Sequence, residues 1–163
     1  MKKIIVGIVV FCVCTLLVAC SNDMQKKEEE ERYNLVYKIT RARLDEDLDI
    51  IDDYIPDIFL SNEQKNRYIS KICDLSQKTD KAVGIQNVEY RQVNVRERQD
   101  YINRFVQEIN ISEVFTDDMM KVGIVKFDIV FYDHDGKKKT FKSENLAFEY
   151  EGKWSMILIE ETE

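Results

Sequence analysis

One histidine, His134, and one proline, Pro56, are all that 163 residues contain of either type, and each scarcity excludes something. The sole imidazole lies in Asp133-His134-Asp135-Gly136, a hairpin-turn pattern. No Ser-His-Asp or Cys-His arrangement therefore has a base held in a rigid cleft. Transition-metal sites need more than one nitrogen or sulfur donor, and a calcium loop spreads its ligands over roughly twelve residues, so His134 and its flanking aspartates read as a solvated turn. An excess of basic charge is also missing. The formal net charge is -7, the wrong sign for nucleic acid, whose phosphates demand a basic face. No apolar run reaches the roughly 20 residues of a membrane span.

What the chain does carry at its start is Lys2 and Lys3, then Ile4 to Val18, apolar apart from Gly7 and Thr15. A charged start before an apolar core of this length is the layout of an export signal. The run closes in Leu17-Val18-Ala19-Cys20, followed by Ser21, Asn22 and Asp23. These residues resemble the lipobox of bacterial lipoproteins, in which the cysteine thiol receives a diacylglycerol, the peptide bond before it is cut, and the new amino terminus is often acylated, palmitate being one such chain. The resemblance implies that Cys20 is the lipidated first residue, with Leu17 and Ala19 in the preferred flanking places. It divides the chain into a signal peptide over residues 1–19, a lipidated terminus and polar tether over 20–32, and one domain over 33–163. Each buried methylene of an acyl chain contributes about 0.8 kcal/mol, so two or three chains anchor durably where one binds reversibly. The implied location is a cell membrane, facing outside the cytoplasm, and Ser21 in place of Asp favours the outer membrane in an envelope that has two.

Loss of residues 1–19 would leave 144 residues, enough for one domain with an ordinary core. It would remove two lysines and no acid, taking the formal charge from -7 to -9. Of the four cysteines, Cys12 and Cys14 would leave with the signal and Cys20 would carry lipid. Only Cys73 then remains, so no disulfide forms within the chain, and its place beside Ile69 and Ile72 suits a small core residue.

Residues 21–32 are almost without apolar content, as befits a tether, or one that merges into the first helix. Beyond them Tyr33, Tyr37, Leu44, Leu48, Ile51 and Ile55, widened by Leu35 and Ile39, recur at near-helical spacing, and Pro56 ends the pattern. Ser61-Asn62-Glu63-Gln64 matches a capping box opening a second helix. Its core face is Tyr68, Ile69, Ile72, Cys73 and Leu75, with Lys78 and Lys81 at its carboxyl end and Gly84 as a breaker. Val88 to Val95 alternates weakly, and residues 97–110 fit either a helix or a strand. Val125, Phe127, Ile129 and Phe131 alternate with Lys126, Asp128 and Val130, the pattern of a half-buried strand. The turn at Asp133 to Gly136 leads to a strand over Lys138 to Tyr150, and Glu151-Gly152 turns the chain again. Trp154, Met156 and Leu158 with Ile157 and Ile159 make a last strand apolar on both faces, expected to be central or helix-covered. The fold class read from this order is α+β, with amino-terminal helices packed on an antiparallel sheet that ends in a carboxyl-terminal meander.

Two helices, a meander and the turn Tyr150-Glu151-Gly152-Lys153-Trp154 resemble the cone-shaped, nuclear-transport-factor-like (cystatin-like) superfamily, which implies a curved sheet around a pocket. In such a pocket Asp128 would be the candidate acid, with Tyr90 or Tyr101 near it; as an outward strand residue beside Lys126 it needs no function. Asp45, Glu46, Asp47, Asp49, Asp52 and Asp53 make an acidic stretch that either meets a basic partner or forms a solvated helix face paired with Arg41 and Arg43. No catalytic, cofactor-binding or metal-ligating set emerges; the covalent lipid on Cys20 is the one attached group expected. The resulting expectation is a membrane-anchored, exported lipoprotein acting as a non-enzymatic binding or interaction module at the cell envelope. Its partners would be the membrane, through the anchor, and an envelope protein or small ligand, with no nucleic acid. The alternatives are an immunity-type inhibitory lipoprotein and an enzyme with a cone pocket.

Overall fold

The computed structural model describes residues 26–78 and 81–163, with side-chain detail outside 77–83. Cys20 and the lipobox lie outside the described residues. Contacts divide the chain into a unit ending at Asn34 and a unit from Leu35 to Glu163. Of the first, residues 26–34 are helical and carry the i,i+4 ion pairs Lys27–Glu31 and Glu28–Arg32.

The helix continues to residue 45 and is designated α1 (residues 26–45); it is followed by α2 (Leu48–Tyr54), α3 (Asn62–Lys78), β1 (Lys81–Gln92), α4 (Val95–Glu108), β2 (Met120–Tyr132), β3 (Lys138–Tyr150) and β4 (Lys153–Thr162). The strands form one antiparallel sheet in the order β1-β2-β3-β4. The expected α+β class, with helices preceding a carboxyl-terminal meander, is the observed one.

The single helix expected from residue 33 to Pro56 is two. Glu46 adopts φ 54° and the Asp47 amide donates to the Ala42 carbonyl at 2.9 Å, a Schellman ending built on Glu where glycine is usual. Asp47 then caps α2, its Oδ1 accepting from the Ile50 amide at 3.1 Å. The break resets the helical phase. Leu35, Val36, Ile39 and Ala42 are buried, whereas Tyr33, Tyr37 and Leu48, expected in the core stripe, stand about half exposed.

Ser61 caps α3 as expected, its Oγ accepting from the Gln64 amide at 3.3 Å, but the Gln64 side chain accepts from the Leu60 amide, not from that of Ser61. Lys81 and Gly84 belong to β1, not to a helix end and its breaker, and the β1–β2 register shifts beside Gly84. The ambiguous stretch 97–110 is helical almost throughout. Asn94 and Glu97 close a reciprocal capping box before α4, and Asn110, at φ 53°, ends it while the Ile111 amide donates to the Val106 carbonyl.

Alternation divides the sheet into two faces. Val125, Phe127, Ile129 and Phe131, with Phe141, Ala147 and Met156, pack with Leu35, Val36 and Ile39 of α1 and Leu75 of α3. Ile124, Leu146, Phe148, Ile157 and Ile159 pack with Ile102, Phe105 and Ile109 of α4 and with Ile51, Tyr68 and Ile72. Strand β4 is an edge by hydrogen bonding, yet buried from Ser155 to Ile159. Helices α2 and α4 pack against it, and the Tyr68 hydroxyl accepts the outward Leu158 amide at 2.8 Å. Burial pushes the Tyr68 phenol up to about 12, against the opposing pull of that amide, so it stays neutral and seals an edge that would otherwise offer itself for pairing.

One buried ion pair joins α1, α3 and β4. The Arg43 Nε donates to the Ile72 carbonyl at 2.8 Å, while Nη1 and Nη2 donate to the two carboxylate oxygens of Glu161 at 3.1 Å each. Removing one partner of such a pair strands the other charge, at a cost of about 3–5 kcal/mol. Arg43→Met is expected to lower stability by about 3 kcal/mol, the low end because Glu161 retains some solvent contact, and Arg43→Met with Glu161→Leu to recover much of that loss, both read from urea unfolding midpoints. Gly123 faces the Tyr90 ring so closely that an added Cβ would overlap it. Gly123→Ala is expected to cost about 1–3 kcal/mol, seen as a lowered thermal midpoint.

Candidate functional site

Polar side chains collect on one part of the sheet, beside the apolar row that packs with α4. Register places Glu89, Lys126, Glu144 and Glu160 in one cross-strand row, and Gln86, Asp128, Lys142 and Thr162 in the next. Ile124, Leu146 and Ile157 form the corresponding apolar row. The period-two alternation that sends Phe127 and Ser143 to the opposite face leaves these rows as the floor of an open groove of about 510 Å³. A second open groove, of about 680 Å³, runs between α3, α4 and the end of β4. Its charges are largely matched in the pairs Lys71–Glu108 at 2.5 Å and Arg104–Glu160 at 2.7 Å.

Glu144 is the most constrained acid of the floor. It accepts the Tyr101 hydroxyl at 2.9 Å, meets the Lys126 ammonium at 3.2 Å, and lies 3.6 Å from the Arg104 guanidinium. Burial alone would raise its carboxyl, but those two hydrogen bonds and the charges of Lys126 and Arg104 together hold it below the ordinary carboxylate range. The Tyr101 phenol is pushed up, first by burial and then by Glu144.

Asp128 lines the same floor one row away, half-buried, with Asn87 Nδ2 donating to its Oδ2 at 2.6 Å. Asn87 is the φ 53° residue of a β1 bulge, so an irregularity invisible to the alternation pattern brings its amide there. Across the strand pair stands Lys142, exposed and without an ion-pair partner among the described residues. Tyr90, grouped with Asp128 in the sequence reading, packs against the opposite face, edge-on to Trp154 at 6.3 Å, and donates its hydroxyl to the Lys121 carbonyl. Tyr101 does reach the groove side, but through Glu144. No signal in the strand pattern singled out Glu144, because its hydroxyl and cationic partners come from α4 and β2.

Most of the remaining sequence candidates have structural partners. Asp133 Oδ1 accepts from the Asp135 and Lys137 amides at 3.0 and 2.8 Å, organising the turn that carries His134. The Lys137 amide in particular holds the Asp133 carboxyl below its usual value. In the acidic stretch, Asp45 pairs with Arg41 at 2.6 Å, Asp52 with Lys65 at 2.6 Å, Glu46 accepts from Ser76, and Asp47 is a cap. Cys73 is half-buried against the core, and burial pushes its thiol up, away from thiolate chemistry. Among the described residues no three His, Cys, Asp or Glu side chains are arranged to hold a metal ion, and no helix is long and apolar enough to cross a membrane.

A depressed carboxyl contributes stability that is present above its unfolded pKa and lost as pH falls through the folded value. Tyr101→Phe removes one of the bonds that depress Glu144, so the stability gap between wild type and variant is expected to be fully open at neutral pH. It should narrow as pH falls below the ordinary glutamate range, as followed by urea unfolding across an acid series. No protein-family model, curated protein or solved structure matches this chain.

Proposed function

We propose that the chain is an exported lipoprotein, held on a membrane by lipid at Cys20, whose α+β domain acts as a non-enzymatic binding module at the cell envelope. The observation that carries this reading is Leu17-Val18-Ala19-Cys20 behind Lys2, Lys3 and a short apolar core. The domain's surface chemistry supports binding over catalysis. Glu144 and Glu160 are matched by Lys126 and Arg104, the Asp128 carboxylate is engaged by Asn87, and burial pushes the Cys73 thiol up. The likeness of the helix order and the Tyr150-Glu151-Gly152-Lys153-Trp154 turn to the nuclear-transport-factor-like fold belongs to the same proposal and adds a pocketed sheet suited to a ligand.

An enzyme acting through Asp128 is the second reading, favoured by the place of that carboxylate on the floor of an open groove opposite the exposed Lys142. It ranks lower because no nucleophile and base stand together there.

The anchor is tested by expressing full-length wild type and Cys20→Ala with an alkyne-bearing fatty acid. Wild type is expected in the membrane fraction and labelled. Cys20→Ala is expected unlabelled, uncut and displaced from the lipid-anchored pool; equal labelling of both forms would overturn the reading.

A further inference from the structure

Apolar surface lies bare at the end of the domain where the loop after α2 meets the loop after α4. The Phe59–Val114 bridge joins them, and the Phe115 amide donates to the Ile58 carbonyl at 2.8 Å. Phe59 and Val114 pack on the core, while Phe115 is left 58% exposed and Leu60 exposed beside the bridge. The Met119 amide then donates to the Thr116 carbonyl, and this turn delivers Met120, also 58% exposed, to the start of β2, opposite Glu149 and next to Tyr150. Exposed apolar groups gathered in this way mark interaction sites more often than scattered ones do.

Carboxylates surround them. Asp57, Glu113, Asp117, Asp118 and Glu151 are all exposed, and none has an ion-pair partner among the described residues. Asp57, Asp118 and Glu151 are close enough to Tyr150 to add to the burial that pushes its phenol up. Elsewhere the acids tend to be matched, as in Asp45–Arg41, Asp52–Lys65, Glu108–Lys71 and Glu161–Arg43. At this end Lys121 is already held by Glu149 at 2.9 Å, leaving Lys153 on the adjoining turn as a counter-charge.

We propose that this end of the domain docks a cationic, amphipathic segment of a partner protein, whose apolar side chains cover Phe115, Leu60 and Met120 and whose lysines or arginines meet the surrounding carboxylates. The charge decides the occupant. A second copy of the chain would set acid against acid, and an anionic lipid surface would be repelled by the same groups. The acidic stretch Asp45 to Asp53 is displaced from this role because Asp45, Asp47 and Asp52 are committed to pairing and capping. The inference rests on the reading of the domain as a binding module and is independent of the anchor at Cys20.

The test uses full-length protein in detergent micelles and a synthetic amphipathic leucine–lysine peptide bearing a photo-crosslinker, with a glutamate-for-lysine peptide as counterpart. Binding of the cationic peptide is expected to weaken about tenfold in Phe115→Ser with Met120→Ser, and similarly in Asp57→Asn with Asp117→Asn and Asp118→Asn. Asp49→Asn with Asp53→Asn should stay within about twofold, and cross-links should fall on residues 113–120. Unchanged thermal midpoints show that the variants are folded. Equal losses in the Asp49 and Asp53 control, absence of binding, or cross-links confined to the floor around Asp128 and Lys142 would each overturn the assignment. The last result would leave the binding-module reading standing. That reading fails separately if full-length protein recovered from gently crosslinked cells carries neither a protein partner nor a small molecule.

Discussion

The Arg43 guanidinium stands where α1, α3 and the last strand meet, and the arrangement of the helices around the sheet depends on it. Apolar contacts between these elements are strong in sum but non-directional, so burial alone would tolerate small rotations of α1 over its face. Arg43 removes that freedom. Its Nε is committed to the Ile72 carbonyl in the middle of α3, and its fork holds both oxygens of Glu161 near the chain end. Taking the two charges out of water offsets much of their attraction, so the consequence of the pair is mainly positional. With β4 pinned at Glu161, its Leu158 amide meets the Tyr68 hydroxyl and the strand edge is closed.

Closing that edge determines which surfaces remain open. Helices α2 and α4 pack against β4, and the polar rows through Lys126 and Asp128 are left as open floor. The opposite edge, β1, is interrupted by two register shifts, one of them carrying Asn87, and such bulges discourage edge-to-edge pairing. The loop end around Phe115 is the contrasting region, where apolar groups and acidic side chains stay in water.

Much of the fold was legible because its signals are local. The alternation from Val125 to Phe131, the turn at Asp133 to Gly136 and the cap at Ser61 each depend on neighbours within a few residues. The helix within residues 97–110 was left undecided, because apolar spacing there suits helix and strand alike; the deciding signal, a capping box formed by Asn94 and Glu97, stood in the sequence unused. The break at Glu46 was hidden because a left-handed helix ending usually announces itself with glycine, and without it Tyr33, Tyr37 and Leu48 fall into an apparent core stripe. Of the candidate site, Asp128 could be picked out as a lone acid on an apolar strand. Its partner Asn87 could not, because a bulge moves side chains out of the two-residue period.

By itself the sequence determined the α+β order, the strand periods, the turn chemistry and the negative charge, all of which follow from residue type and short spacing. The lipobox resemblance at Cys20 is likewise a matter of consecutive residues. Tertiary structure alone decided how the acids are engaged: Glu161 finds Arg43 across 118 positions, Glu144 finds Tyr101 across 43, and Asp57 and Glu151 find no ion-pair partner among the described residues. The reason is physical: a charge's role depends on what is within a few ångströms and on how much water is left, and packing brings those neighbours from distant parts of the chain.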